Sequence, residues 1–507
     1  MIISLSVLVI TIIVSGTYAL YKAQLSKNIG VNTTTHGLAY YINYVKGTDI
    51  TAATLNPSTS YESGASSDIE FWKKDDSYDI YGKIDLTVNT IGTNLKNSPA
   101  LKYAVVNNGN VLSTGSLKGT TSGSKVTILK NLYLEQTKQI YTVYVWLDNS
   151  EELGNISNES LSISVDCTAS LQKEPAADTI ISLYTNASKT AVTNNGKDYN
   201  TAPSVSLMND RLGGTTTDLD DGNIRYYGAS PNNYIYFNCS DYSNQTSSTC
   251  ETWRIIGVFD GKLKLIRGSQ IGKYSWDNKN TSTGAEDNYG KNDWTTARLM
   301  KLLNPRDYYK VDSNDNNLGQ SLYYNSASGK CYSGQNNATV DCDFTSTGIK
   351  NDTTRNMIAE TTWNIGGWSN SSVYPNQIYE YERGTTVYTG RPTTWMGKIA
   401  LAYPSDYGYA VDLNKCKYYR VDEYKDTACV SNNWMKTILG VSSNGWLLST
   451  HSGGSYDVSF VHLNGSVSNF YLGAQLVYEV APVLYLSSKL GIESGDGSSS
   501  NPYKLSI

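Results

Sequence analysis

Leu101-Lys102-Tyr103-Ala104-Val105-Val106-Asn107-Asn108-Gly109-Asn110-Val111-Leu112-Ser113-Thr114-Gly115-Ser116-Leu117 decides the class of fold. Two runs rich in β-formers, Leu101–Val106 and Val111–Leu117, flank Asn108-Gly109. Asn-Gly between such runs signals a two-residue hairpin, because the favoured turn needs positive φ at both central positions. Working outward, Leu38–Val45, Ile80–Val88, Ile140–Leu147 and Leu161–Val165 have the same texture. Short strands at this spacing predict an immunoglobulin-like β-sandwich over residues 22–170. Nothing in it clusters His, Asp, Glu or Cys as chemistry requires, so the expectation is a stalk or an assembly module.

Ahead of the sandwich, Ile2 to Val14 is almost wholly apolar, and Ser15-Gly16-Thr17-Tyr18-Ala19 follows. The uncharged stretch up to Lys22 is about 20 residues, the length of a bilayer-crossing helix. Residues 1–21 therefore read as a signal peptide cut after Ala19 or as a retained N-terminal membrane anchor. No Lys or Arg precedes the apolar run, which is unusual for either. An LPxTG-like sorting signal is absent from the C-terminal residues, so attachment by that route is not expected. The leader ending Thr17-Tyr18-Ala19-Leu20-Tyr21, followed by a sandwich, resembles the TasA/camelysin group of secreted Gram-positive proteins. That group includes biofilm matrix fibre subunits, so the resemblance implies export and self-assembly.

Composition agrees with an exported protein. The 507 residues carry a net charge of −5, charged residues make up only 17% of them, and a weakly acidic chain lacking basic runs is not expected to bind nucleic acid. Six of the seven cysteines form close pairs: Cys239 with Cys250, Cys331 with Cys342, and Cys416 with Cys429. Zinc sites want C-x2-4-C pairs, and none exists. The spacings instead suit disulfides stapling surface loops, which persist in oxidising compartments. Each closes a loop whose restriction is worth roughly 3 kcal/mol. Cys167 is left over, as a buried thiol or an intermolecular bridge.

Residues 171–205 read as a polar linker with one short helix, Thr179–Tyr184. From 206 onward the texture changes. Trp253–Phe259, Asp260-Gly261 and Lys262–Ile266 form one hairpin, and Val458–Leu463, Asn464-Gly465 and Ser466–Leu472 another. Trp294–Leu303 puts Leu299, Leu302 and Leu303 on one helical face, with Asp293 as cap and Asn304-Pro305 as stop. A second short helix is expected at Trp434–Leu439.

Several ordered motifs run through this part. Asn223-Ile224-Arg225-Tyr226-Tyr227-Gly228-Ala229 precedes Pro231–Phe237, then Thr252-Trp253-Arg254-Ile255-Ile256-Gly257-Val258. Tyr403-Pro404-Ser405-Asp406-Tyr407-Gly408-Tyr409, Gly445-Trp446-Leu447-Leu448-Ser449 and Pro482-Val483-Leu484-Tyr485-Leu486 follow. The series resembles a bacterial surface domain of the DUF6273 type, itself similar to C-type-lectin-like and formylglycine-generating-enzyme-like folds. The resemblance implies a disulfide-stapled C-type-lectin-like domain over 206–507, presenting loops from a rigid core. Many relatives have Arg before the closing strand, where Glu479-Val480-Ala481 stands here.

Catalysis is not expected. The histidines are His36, His451 and His462, and His451 within Ser449-Thr450-His451-Ser452 lacks a Gly-x-Ser-x-Gly elbow. The paired cysteines do not fit the thiol chemistry of formylglycine-generating enzymes. Calcium is the one cofactor with any sequence support: Asp218, Asp220 and Asp221 offer closely spaced oxygens before Gly222, and Asp312–Asn316 is a poorer version. The Glu-Pro-Asn and Gln-Pro-Asp motifs of sugar-binding C-type lectins are missing.

Ligand-binding residues are sought among aromatics in Gly/Ser/Thr-rich stretches: Trp368, Trp395, Trp446 and Tyr456. Trp368, in Gly366-Gly367-Trp368-Ser369-Asn370, is the expected exposed anchor, whereas Trp395 and Trp446 also fit a core. The expectation is thus a mainly β chain, an immunoglobulin-like sandwich followed by an α+β C-type-lectin-like head. It would work at the cell surface, anchored or secreted, as a non-catalytic adhesin for a glycan or protein. A fibre or matrix subunit is the main alternative, and a secreted hydrolase the third.

Overall fold

The computed structural model describes residues 23–24, 41–52, 55–156, 159–211, 222–277, 289–310, 318–334, 338–369, 372–417, 419–469 and 473–507. The apolar segment 1–21, the calcium candidates Asp218, Asp220 and Asp221, and Asp312–Asn316 lie outside these residues. The described chain is mainly β, built largely from antiparallel sheets. It divides into two units. One takes in the chain up to Pro175 together with Gly491–Asp496 and Tyr503–Ile507, and the other takes Ala176–Leu490 with Gly497–Pro502.

The first unit has two main sheets. In one, Ala23–Gln24, Leu161–Ser170, Tyr81–Ile91 and Lys125–Tyr133 lie in that order, with Ile50–Ala52 also on Leu161–Ser170. In the other the order is Ile42–Val45, Ala65–Lys73, Ile140–Asp148, Leu101–Asn107 and Asn110–Ser116. The expected hairpin is present: Asn108 and Gly109 have φ of 48° and 78°, the conformation that a primed turn demands. Alternation of side chains along each strand gives every strand one inward row. Ile84, Leu86, Val88, Ile163, Val165 and Cys167 from one sheet meet Ile69, Phe71, Tyr103, Val105, Val143 and Val145 from the other in a single core. Cys167 is fully enclosed there, and burial pushes its thiol well up.

The last strands of the chain, Gly491–Ser494 and Lys504–Ser506, belong to this first unit and not to the C-terminal one. Asn131 is the clamp. Its amide donates to Glu174 O at 3.0 Å and Ile492 O at 2.9 Å, and its side-chain oxygen accepts from Glu174 N at 2.7 Å. Its own φ is 53°, a left-handed conformation that Asn tolerates better than most residues.

Residues 171–205 are not a linker. They form the helix Ala176–Asn186, whose Ile180 and Tyr184 are buried, and the strands Thr190–Asn194 and Lys197–Ala202. Those strands open a nine-stranded sheet in the second unit, continuing through Leu207–Asn209, Ile224–Tyr226, Glu251–Phe259, Lys262–Arg267, Val483–Tyr485 and Ile399–Ala400, with Tyr234–Phe237 on Glu251–Phe259. A five-stranded sheet orders Lys273–Ser275, Val477–Glu479, Gly445–Thr450, Val458–Val461 and Val467–Ser468. The Asp260-Gly261 hairpin forms as expected, with φ of 48° and 69°.

The expected helix at Trp294–Leu303 shortens to Arg298–Leu303. Asp293 accepts from Thr295 N and Thr295 Oγ1, which caps a preceding turn instead of the helix. The expected helix at Trp434–Leu439 is one turn of 3-10 helix, Trp434–Thr437, capped by Asn433. All three expected disulfides are present, Cys239–Cys250, Cys331–Cys342 and Cys416–Cys429. No helix among the described residues is long and apolar enough to cross a membrane.

Candidate functional site: loops gathered on His451

The strand Gly445–Thr450 runs out at His451, where the second unit's loops converge. His451 pairs as an isolated parallel bridge with Trp368. Trp368 N donates to Thr450 O at 3.4 Å, and Trp368 O accepts from Ser452 N at 3.1 Å and from Asn469 Nδ2 at 2.8 Å. Gly367 makes this approach possible, since a Cβ there would stand 2.4 Å from Thr450 O. His451 N donates to Asp457 O at 3.0 Å, closing residues 451–457 into a tight loop.

Asn292 braces that loop from within. Its Nδ2 faces His451 O at 3.1 Å, Gly454 O at 2.7 Å and Asp457 O at 3.2 Å. Arg391 then holds Asn292, donating through Nε to Asn292 Oδ1 at 3.0 Å and through Nη2 to Ser455 O at 2.9 Å. On this frame Tyr456 stacks against Tyr289, with ring centroids 4.9 Å apart and planes inclined by 32°. Tyr289 is 45% exposed and Tyr456 partly so. The result is a rigid loop with a tyrosine pair at its edge, suited to stacking on a ring or an apolar group.

Two of the four sequence-derived candidates thus come together here, in altered roles. Trp368 is not an exposed anchor. It is 3% exposed, because its backbone is stitched into the loops at Thr450, Ser452 and Asn469. Tyr456 keeps a partly open ring. Trp446 is fully buried, with Nε1 donating to Tyr274 O at 2.9 Å and its ring 4.6 Å from Tyr478. Trp395 is also buried, edge-on to Trp294 at 6.1 Å. Both have the core role that the sequence also allowed. Sequence reading missed Tyr289, Asn292 and Arg391; the only local signal was the polar surroundings of Asn292.

His451 does not show the geometry of a general base. It is 5% exposed, and its Nδ1 accepts from Gly453 N at 3.0 Å within its own loop. Among the described residues no three His, Cys, Asp or Glu side chains are grouped to hold a metal.

A second cluster looks chemical on paper and is sealed in fact. Asp406 Oδ1 accepts from Arg225 Nη1 at 2.9 Å, and Oδ2 accepts from Tyr403 N at 3.0 Å and from Lys264 Nζ. Arg225 Nε donates to Asp210. Burial disfavours the Asp406 anion, but Lys264 and Arg225 outweigh it and hold the carboxyl below its usual range. Burial also pushes Lys264 down to about 8, with Asp406 resisting, and pushes Glu382 up to about 7, with Arg383 resisting. Glu382 accepts from Ser405 N at 2.9 Å and Ser405 Oγ at 2.5 Å. Perturbed carboxyls mark active sites only when substrate can reach them. The Asp406, Lys264 and Arg225 side chains are at most 1% exposed, so this is a core network.

No protein-family model matches the chain, and no curated protein matches it. Among solved structures, the receptor-binding domain of a botulinum neurotoxin mosaic serotype C/D aligns at 13% identity over 53% of this chain and 76% of its own, with a TM-score of 0.15. Overlap that slight shows neither a shared fold nor a shared function.

Proposed function

We propose that this is a non-catalytic recognition protein of a bacterial cell surface, and that the 451–457 loop with its Tyr289–Tyr456 pair is its binding edge. The observation that carries the reading is a rigid loop, braced at three carbonyls by Asn292, that leaves a stacked tyrosine pair partly open. Loops fixed on a rigid scaffold are where binding residues gather. Pre-forming them removes ordering costs that binding would otherwise meet. The three disulfides support an oxidising, extracytoplasmic setting. In this reading the first unit is an immunoglobulin-like stalk and the second a C-type-lectin-like head, delivered by the N-terminal apolar segment.

The test is a mixed array of glycans and surface proteins probed with the intact chain, with and without calcium. A specific hit lost on Tyr456→Ala and on Tyr289→Ala supports the assignment. Binding that survives both substitutions moves the recognition face elsewhere. No binding at all removes the adhesin reading and favours assembly through the sandwich.

A further inference from the structure

The outer face of the first unit's second sheet is unusual for a sandwich, because aromatic residues crowd a surface that faces away from the core. Along Ile140–Asp148 the outward row is Thr142, Tyr144 and Trp146, since Tyr141, Val143, Val145 and Leu147 point into the core. Tyr144 stands opposite Ser66 on one neighbouring strand and Ala104 on the other, so short side chains flank its ring. Tyr61 comes from the 3-10 turn Tyr61–Ser63. Its ring centroid lies 5.2 Å from Tyr144 at 59° and 6.2 Å from Trp146 at 66°. Gly64 brings this turn down onto the sheet, as a Cβ there would meet Val145 O at 2.5 Å.

Tyr61 and Tyr144 are both partly exposed above Trp146, which is 7% exposed. The indole Nε1 of Trp146 is buried without a hydrogen-bond partner.

Two exposed carboxylates border this patch. Glu62 adjoins Tyr61 in the turn, and Asp68 accepts from Thr142 Oγ1 at 2.6 Å, one step along the same outward row as Tyr144. Burial raises the Tyr144 phenol, and the negative charges of Glu62 and Asp68 raise it further, so both act at this ring. Neither carboxylate takes part in an ion pair among the described residues.

Ring faces carry negative quadrupole potential, and Glu62 and Asp68 add charge of the same sign, while Lys102, opposite Trp146 on the neighbouring strand, is engaged by Asp148 and Glu151, so the patch attracts a cation. A hard metal ion wants a shell of oxygens, which two carboxylates beside aromatic rings do not supply. A poorly hydrated organic cation fits both features. We propose that this face binds an alkylated ammonium group, seated on Tyr61 and Tyr144 and held by Glu62 and Asp68.

The probe is tetramethylammonium, titrated into the intact chain and followed by saturation transfer to its methyl resonance. Neopentyl alcohol serves as the neutral isostere, and potassium chloride as the ionic-strength control. Saturable transfer to the ammonium and not to the alcohol is expected, weakened about five-fold or more by Tyr144→Leu. The surface pair Glu62→Gln with Asp68→Asn, which leaves the core untouched, is expected to weaken it similarly. Equal response to the neutral isostere, no response, or binding indifferent to the carboxylate pair overturns the proposal. Failure here leaves the loop edge of the second unit untouched, since that site has its own variants.

Discussion

Asp406→Asn is the substitution on which the second unit's architecture can be judged. Asp406 is the shared counter-ion of two buried cations: Oδ1 serves Arg225 and Oδ2 serves Lys264. Asp210 neutralises Arg225 from the other side. The four charges sum to zero, and the substitution leaves one buried positive charge uncompensated. Removing one partner of a buried ion pair costs roughly 3–5 kcal/mol, because the remaining charge cannot be rehydrated. For a unit of this size that lowers the midpoint of thermal unfolding by about 4–7 °C.

Lys264→Met should cost less, since Asp406 keeps Arg225 and Tyr403 N as donors. Combining the two substitutions leaves the Arg225–Asp210 pair intact and removes the orphaned cation. The double variant should therefore be more stable than the sum of the single losses by at least about 1 kcal/mol. Guanidinium unfolding of the oxidised protein, followed by tryptophan fluorescence, reads all three. A loss below about 1 kcal/mol for Asp406→Asn, or strict additivity in the double variant, would falsify the account of this cluster as a charge-balanced buried network.

Three further expectations follow from the same physics. Burial raises Glu382 from its usual carboxyl value to about 7, so between about 4.5 and 7 the folded protein binds more protons than the unfolded one and stability falls as pH rises; Glu382→Gln should flatten that slope, worth about 3 kcal/mol in total, as denaturation midpoints against pH will show. Asn131→Ala removes three hydrogen bonds that join residues 131, 174 and 492, and should cost about 2–3 kcal/mol and speed proteolysis of the last 17 residues, measured by timed digestion and mass spectrometry. Cys167 should resist iodoacetamide in the native protein and react on unfolding, because its thiol is enclosed and burial holds it protonated; rapid native labelling would contradict the packed sandwich core.

The local features were legible where chain neighbours decide them. Asn108-Gly109 and Asp260-Gly261 turn where the sequence says, because positive φ is a property of those residues and their immediate neighbours. The cysteine pairs were legible for the same reason, each closing a short loop. Trp368 misled because a Gly- and Ser-rich setting resembles an exposed loop. Gly367 instead lets the backbone approach Thr450 closely enough to bury the ring. Residues 171–205 misled because their strands are largely polar, although they pair locally, Thr190–Asn194 with Lys197–Ala202 and the latter with Leu207–Asn209, while the helix Ala176–Asn186 packs on the later strands Glu251–Phe259 and Lys262–Arg267.

The sequence by itself determined the β-rich character, the primed hairpins and the three disulfides, all of which depend on composition or short-range spacing. Tertiary structure alone decided that the final strands return to the first unit. It alone built the network that joins Asp210, Arg225, Lys264 and Asp406, and joined Asn292, Arg391 and Tyr289 to the loop at His451. Those groupings join residues as many as 361 positions apart, as between Asn131 and Ile492. Their energy comes from desolvation and hydrogen-bond satisfaction, which exist only once the core has closed around them.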